Sequence, residues 1–101
     1  MSYAPFRASG PTLSISASTT SAGSTWTQPV ASNSPIVRIV NSGSVVVFVR
    51  TGKGAQTATV TDTAVAPNAT LVLFKSNDDG IAAICATGTA AVYATPGYGD
   101  Y

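Results

Sequence analysis

Histidine and glutamate are absent from the 101 residues, cysteine, methionine and tryptophan occur once each, and charged residues make up only 9% of the chain. General acid–base catalysis needs groups that titrate near their working pH. Here the side-chain carboxylates are Asp62, Asp78, Asp79 and Asp100 alone. The single thiol, Cys85, sits between Ile84 and Ala86 in "GIAAICATG", with no histidine in the chain to activate it. An enzyme is therefore not expected, and no cofactor is implied. Zinc is excluded because a structural or catalytic site takes several Cys or His ligands. One cysteine cannot close an internal disulfide, and Cys85 reads as a small buried hydrophobe.

Basic charge is equally thin. Arg7, Arg38, Arg50, Lys53 and Lys75 form no run, and the net charge is +1. That is no footprint for nucleic acid, which is not expected as a partner. No apolar run approaches the ~20 residues of a membrane helix, and "MSYAPFRASG" lacks a signal-peptide core, so the chain is expected to be made in a cytoplasm, without a membrane partner. The glycines of "TGKGA" match neither a P-loop nor a dinucleotide fingerprint, and this stretch reads as a hairpin loop with Lys53 exposed. Asn77, Asp78 and Asp79 could offer oxygen ligands to calcium, but the short cluster lacks the spacing of a calcium loop and reads as a solvated turn.

What is present is a strand rhythm. Hydrophobic residues make up 45% of the chain, and runs rich in Val, Ile, Thr and aromatics alternate with turn residues. "TLSISAS" (12–18) places Leu13, Ile15 and Ala17 on one face against hydroxyls on the other. "TWTQPV" reads as a weak strand limited by Pro29. "PIVRIVN" (35–41) and "SVVVFVR" (44–50) read as a hairpin turning at "NSGS", and "TATVTDTAV" (57–65) as an exposed strand or arm. "TLVLFKS" (70–76), "GIAAICATG" and "TAAVYATPG" follow, with "NDDG" as a turn, and no segment shows helical caps with period 3.6. The expectation is an all-β chain: an antiparallel β-sandwich or jelly-roll-like barrel of about seven or eight short strands. Residues 1–11 are expected as an extended N-terminal arm, 12–96 as the single sandwich domain, and 97–101 as a flexible tail.

Several strands are apolar on both faces. In 44–50, Val45, Val47 and Val49 share one side while Val46, Phe48 and Arg50 share the other; in 70–76, Leu71 and Leu73 oppose Val72 and Phe74. One face of each strand belongs to a core, and the other needs a cover. Low charge removes the repulsion that keeps copies apart, so burial of that face by identical copies or by a larger partner is expected. The candidate interface residues are Tyr3, Phe6, Arg7, Trp26, Val46, Phe48, Arg50, Val72 and Phe74. A second use of the aromatics is a sugar-binding surface built from Trp26, Tyr93, Tyr98 and Tyr101.

Two stretches, "RIVNSGSVVVFVRTG" (38–52) and "TLVLFKSNDDGIAAICATGTAAVYATPGYG" (70–99), carry a resemblance. With Arg38, Val40, Asn41 and Gly43 in the first, and Gly88, Thr89, Ala90, Val92, Tyr93, Thr95, Pro96, Gly97 and Gly99 in the second, the chain resembles the small all-β virion proteins of tailed bacteriophages. The resemblance implies a structural subunit of the virion, most often a head decoration or cement protein bound as a trimer or dimer to the lattice of the major capsid protein. It implies further that residues 1–12, with Tyr3, Phe6 and Arg7 as anchors, reach to a neighbour. A tail, fibre or head-completion component and a carbohydrate or host-surface binding module are the alternatives.

Overall fold

The strand rhythm resolves into a single wound ribbon. The computed structural model describes residues 6–26, 35–76 and 78–98, and every regular element among them is a strand. In chain order these are β1 (Arg7–Ala8), β2 (Leu13–Ala17), β3 (Ala22–Thr25), β4 (Ile36–Asn41), β5 (Val47–Gly52), β6 (Thr63–Val65), β7 (Thr70–Phe74), β8 (Gly80–Cys85) and β9 (Ala90–Tyr98). Antiparallel pairs join β5 to β6, β4 to β7, β3 to β8 and β2 to β9. The chain is thus one long hairpin with its tip between β5 and β6. Winding it brings β9 against β4 and β8 against β5. Two sheets result, β2-β9-β4-β7 and β3-β8-β5-β6, stacked as an antiparallel β-sandwich.

The core fills from the inward phase of each strand. Ile15, Val37, Ile39, Val92 and Ala94 of the first sheet meet Val47, Val49, Val65, Ile81, Ala83 and Cys85 of the second, all essentially excluded from water. Fully burying each Val or Ile contributes roughly 1.5–3 kcal/mol. Cys85 is buried as the apolar run around it predicts, and burial pushes its thiol pKa up, which keeps it protonated.

Three expectations change. The segments 36–41 and 47–52 are strands, but they are not a hairpin: β4 lies in the first sheet and β5 in the second. Their apolar sides, Val37 and Ile39 against Val47 and Val49, face one another across the core, so "NSGS" and the two valines after it carry the chain from one sheet to the other. The exposed strand over 57–65 shrinks to Thr63–Val65, because Asp62 closes a turn on Thr59: the Thr59 N–H donates to Asp62 Oδ2 at 2.7 Å and the Asp62 N–H to the Thr59 carbonyl at 3.0 Å. The sandwich runs from 7 to 98, not 12 to 96. β1 pairs Arg7 with Tyr98 and Ala8 with Gly97, extending the edge begun by β2 across a break at Ser9–Thr12, where Pro11 has no N–H. Arg7–Ala8 and residues 97–98 are therefore built into the sheet, and with this split edge the described residues hold nine strands where about seven or eight are expected. Tyr3 and the tail residues 99–101 lie outside the described residues.

One side chain holds the crossover that replaces the hairpin. Asn41, wholly buried at the end of β4, accepts the Gly43 N–H on Oδ1 at 2.9 Å, and its Nδ2 donates to the carbonyls of Val45, Val65 and Ala66 at 2.9–3.2 Å. It thereby ties the β4–β5 crossover to the β6–β7 crossover. Gly43 is required there because a Cβ would collide with Ala90. Asn41→Ala leaves these buried groups without a partner and is expected to cost about 2–4 kcal/mol in urea unfolding. A loss inside the error of the measurement would mean that the crossovers hold without it.

Candidate functional site

The residues with chemistry are committed to the fold. No group of three or more His, Cys, Asp or Glu gathers among the described residues. Asp79 Oδ1 accepts the Gly54 N–H at 2.7 Å, fastening the loop after β5 to the start of β8. The Asp78 carbonyl accepts the ammonium of Lys75 at 2.8 Å. Asn77, the remaining member of the calcium trio, lies outside the described residues. Lys75 itself is only 2% exposed, and its Nζ stands 5.0 Å from the ring centroid of Trp26. Desolvation pushes its pKa below the usual 10.5, against the opposing pull of Asp78 and Asp79.

Trp26 corrects an expectation. Its polar neighbours in sequence suggested an exposed aromatic for an interface or a sugar, yet it is 4% exposed and packs into the core at the Lys75 end of the sandwich. The cause is its place just beyond β3, where its N–H donates to the Asp79 carbonyl at 2.7 Å and the ring turns under the sheets. Trp26 cannot stack on a sugar or meet a partner surface in this fold.

The outer face of the β3-β8-β5-β6 sheet is covered in part by its own chain. Ala82 points outward between Arg50 and Gly23, yet it is fully buried. Loop 53–62 leaves β5, reaches β3, where the Ala58 N–H donates to Ser21 Oγ at 2.8 Å, and returns to β6. Since β8 lies between β5 and β3, the loop crosses over it. Arg50 holds the return leg through Asp62 at 3.1 Å. The Thr59 N–H first, and then Arg50, keep the Asp62 carboxyl below its ordinary range despite the opposing effect of desolvation. Phe48 is half-buried on this face, and Val46 is exposed.

The other outer face is covered in part by the segment before β2, since its outward-facing Ile36 and Thr95 are only 2% and 8% exposed. On β2-β9-β4-β7 the register aligns Phe74, Ile36 and Gly97 in one row, Val72, Arg38 and Thr95 in the next, and Thr70, Val40, Tyr93 and Ser14 in a third. Phe6 lies on the first row against Gly97, where a Cβ would come within 2.6 Å of its ring. Its ring centroid stands 5.0 Å from the Arg38 guanidinium carbon. Ile36 is left 2% exposed, whereas Phe74 is 66% and Tyr93 40% exposed. Thr12 and Thr95 hydroxyls bond at 2.7 Å beside them. The surface mixes exposed aromatics with the hydroxyls of Ser14, Thr70 and Thr95 around one embedded cation.

Of the candidate interface residues, Phe6, Val72 and Phe74 converge on this face, with Arg7 at its margin opposite Tyr98, while Val46, Phe48 and Arg50 lie on the opposite sheet. Arg50 serves the loop instead of a neighbour. Ile36, Arg38 and Val40 were not among the candidates, although the alternation of "PIVRIVN" already puts them on one side of a strand. Comparison with protein-family models, with curated proteins and with solved structures gives no match.

Two outcomes follow from the buried cation and the strapped loop. Because the folded chain releases the Lys75 proton at lower pH than the unfolded chain, stability rises with pH between the depressed pKa and 10.5, and the cost of burying the charge is fully present below that window. Urea unfolding at pH 8 and near pH 10.5 should show wild type gaining on Lys75→Met; a difference that does not change with pH would contradict the depressed pKa. Arg50→Ala should leave the fold's circular dichroism unchanged while amide exchange at Thr59 and Asp62 accelerates roughly tenfold, as a locally opening loop does. Unchanged exchange would show that Ala58 and Asp79 anchor the loop by themselves.

Proposed function

We propose that this chain is a non-enzymatic structural subunit of a tailed-phage virion, a decoration or cement protein that binds the lattice of the major capsid protein as a homo-oligomer. The observation that carries this reading is the outer face of the β2-β9-β4-β7 sheet, where Phe74, Val72, Tyr93 and Phe6 surround Arg38. Two large aromatics exposed on one sheet face, Phe74 and Tyr93, suit an interaction surface. The segments that resemble phage virion proteins supply its two central strands: Arg38, Val40 and Asn41 belong to β4, and Ala90 to Gly97 to β9. The pairing of β2 with β9, β3 with β8, β4 with β7 and β5 with β6 suits a jelly-roll winding, which viral capsid proteins share with lectins and cupins, and is in keeping with the same reading.

A lattice subunit needs shape complementarity and many repeated weak contacts more than a pocket. The aromatic and hydroxyl side chains of this face would supply the first, and the Arg38 guanidinium among them orientation toward an acceptor on the partner. Trp26, buried, gives no support to the carbohydrate module. Co-sedimentation with undecorated heads of the phage that carries the protein tests the proposal. Wild type is expected to pellet saturably, and Tyr93→Ala to weaken binding by about tenfold, the ~1.4 kcal/mol of one central aromatic contact. Absence of saturable pelleting by the folded wild type would overturn it.

A further inference from the structure

Strands β1/β2 and β7 border one sheet, and β3 and β6 the other. A bare strand edge accepts another strand unless something blunts it. The β1/β2 edge is broken around Gly10 and Pro11, and β6 has three residues and runs into Pro67. β3 contains Gly23 and has loop 53–62 fastened beside it at Ser21. β7, "TLVLF", has no charge, no proline, no glycine and no covering loop among the described residues.

The direction of its main-chain groups follows from its pairing. The Asn41 N–H donates to the Ala69 carbonyl at 3.0 Å and the Lys75 N–H to the Pro35 carbonyl at 2.7 Å. Residues opposite each other in an antiparallel pair alternate between bonded and non-bonded. Leu71 and Leu73 therefore turn their N–H and C=O groups toward β4, while Thr70, Val72 and Phe74 turn theirs away, where no described strand meets them. Beside these groups stand the side chains of Val72 and the exposed Phe74.

We propose that β7 is a self-pairing edge: two copies of this chain join β7 to β7, antiparallel about a two-fold axis through Val72, and fuse their sheets into one. This inference rests on the homo-oligomer part of the reading above. A second copy is the occupant because the strand is complementary to itself. Centred on Val72, the register sets Thr70 opposite Phe74 of the other copy and Val72 opposite its counterpart, so that every outward N–H finds an outward C=O. It also pairs an aromatic with a β-branched side chain on the outer face, a favoured cross-strand combination. Charge does not oppose it. The nearest cation on that face, Arg38, lies one strand in, so the two copies' arginines stand three strand spacings apart, about 14 Å. That exceeds the Debye length of about 8 Å at physiological ionic strength.

Cysteine cross-linking in the full chain tests the register. At the axis, Val72→Cys would face its counterpart with Cα atoms about 5.5 Å apart, inside the range a disulfide spans. Phe74→Cys, equally near the edge, would lie about 14 Å from its own counterpart at ~3.4 Å of rise per residue. Cys85, 1% exposed, does not compete. Under mild oxidation V72C should form a covalent dimer and F74C should not; equal cross-linking of both would overturn the register. Light scattering across a dilution series gives the second readout. Val72→Pro loses no bond to β4, because the Val72 N–H points outward, and Phe74→Lys places charge on the edge. Both should convert a two-chain particle to one chain while remaining folded by circular dichroism. A wild-type oligomer of unchanged mass in both variants would overturn the β7 edge and leave the homo-oligomer standing. A monomeric wild type that still pellets with heads would overturn self-pairing and leave the lattice reading standing.

Discussion

Four hydrogen bonds to one buried amide hold together the part of the molecule where the winding could most easily fail. Asn41 sits at the point where the ribbon leaves one sheet for the other, and its Nδ2 and Oδ1 reach the backbone of both neighbouring crossovers. An aspartate would lose the donor, and an apolar residue would strand three carbonyls in a dry site. Residues 42–46 can therefore pass between sheets outside any regular strand. The alignment of the two core faces, and with it the outward phase of β4, depends on that amide.

At the Lys75 end a different solution serves the same need. A lysine placed on the inward phase of β7, after Leu71 and Leu73, closes the sandwich with its methylenes while its ammonium reaches the Asp78 carbonyl and the face of Trp26. The two ends contrast in kind: a neutral amide fully bonded to backbone at one, a desolvated cation over an aromatic at the other.

Strand positions were legible in the sequence wherever alternation was strong: Leu13, Ile15 and Ala17 face inward while Ser14 and Ser16 are wet, as "TLSISAS" dictates. The burial of Cys85 was legible for the same reason. The supposed hairpin at "NSGS" was not, because a turn signature between two apolar strands cannot tell pairing side by side from facing across a core. Trp26 was misplaced because local polarity hides a contact with Lys75, 49 positions away in a different strand connection. As for the candidate surface, apolar character on both sides of "TLVLF" pointed to it, but the sequence could not separate the face that loop 53–62 covers from the face it leaves bare. That distinction rests on Ala58 and Ser21, which nothing in their neighbourhood marks as partners.

The last strand in chain order, β9, occupies the middle of its sheet, with β1 and β2 along one side and β4 along the other. During synthesis the first sheet therefore stands open, in two halves, until Tyr98 has emerged from the ribosome. Neither half can form the finished outer face before then, and the long-range closure that completes it is intrinsically slow. Completion of that face is thus timed by β9: a chain interrupted before it lacks the strand that joins β2 to β4.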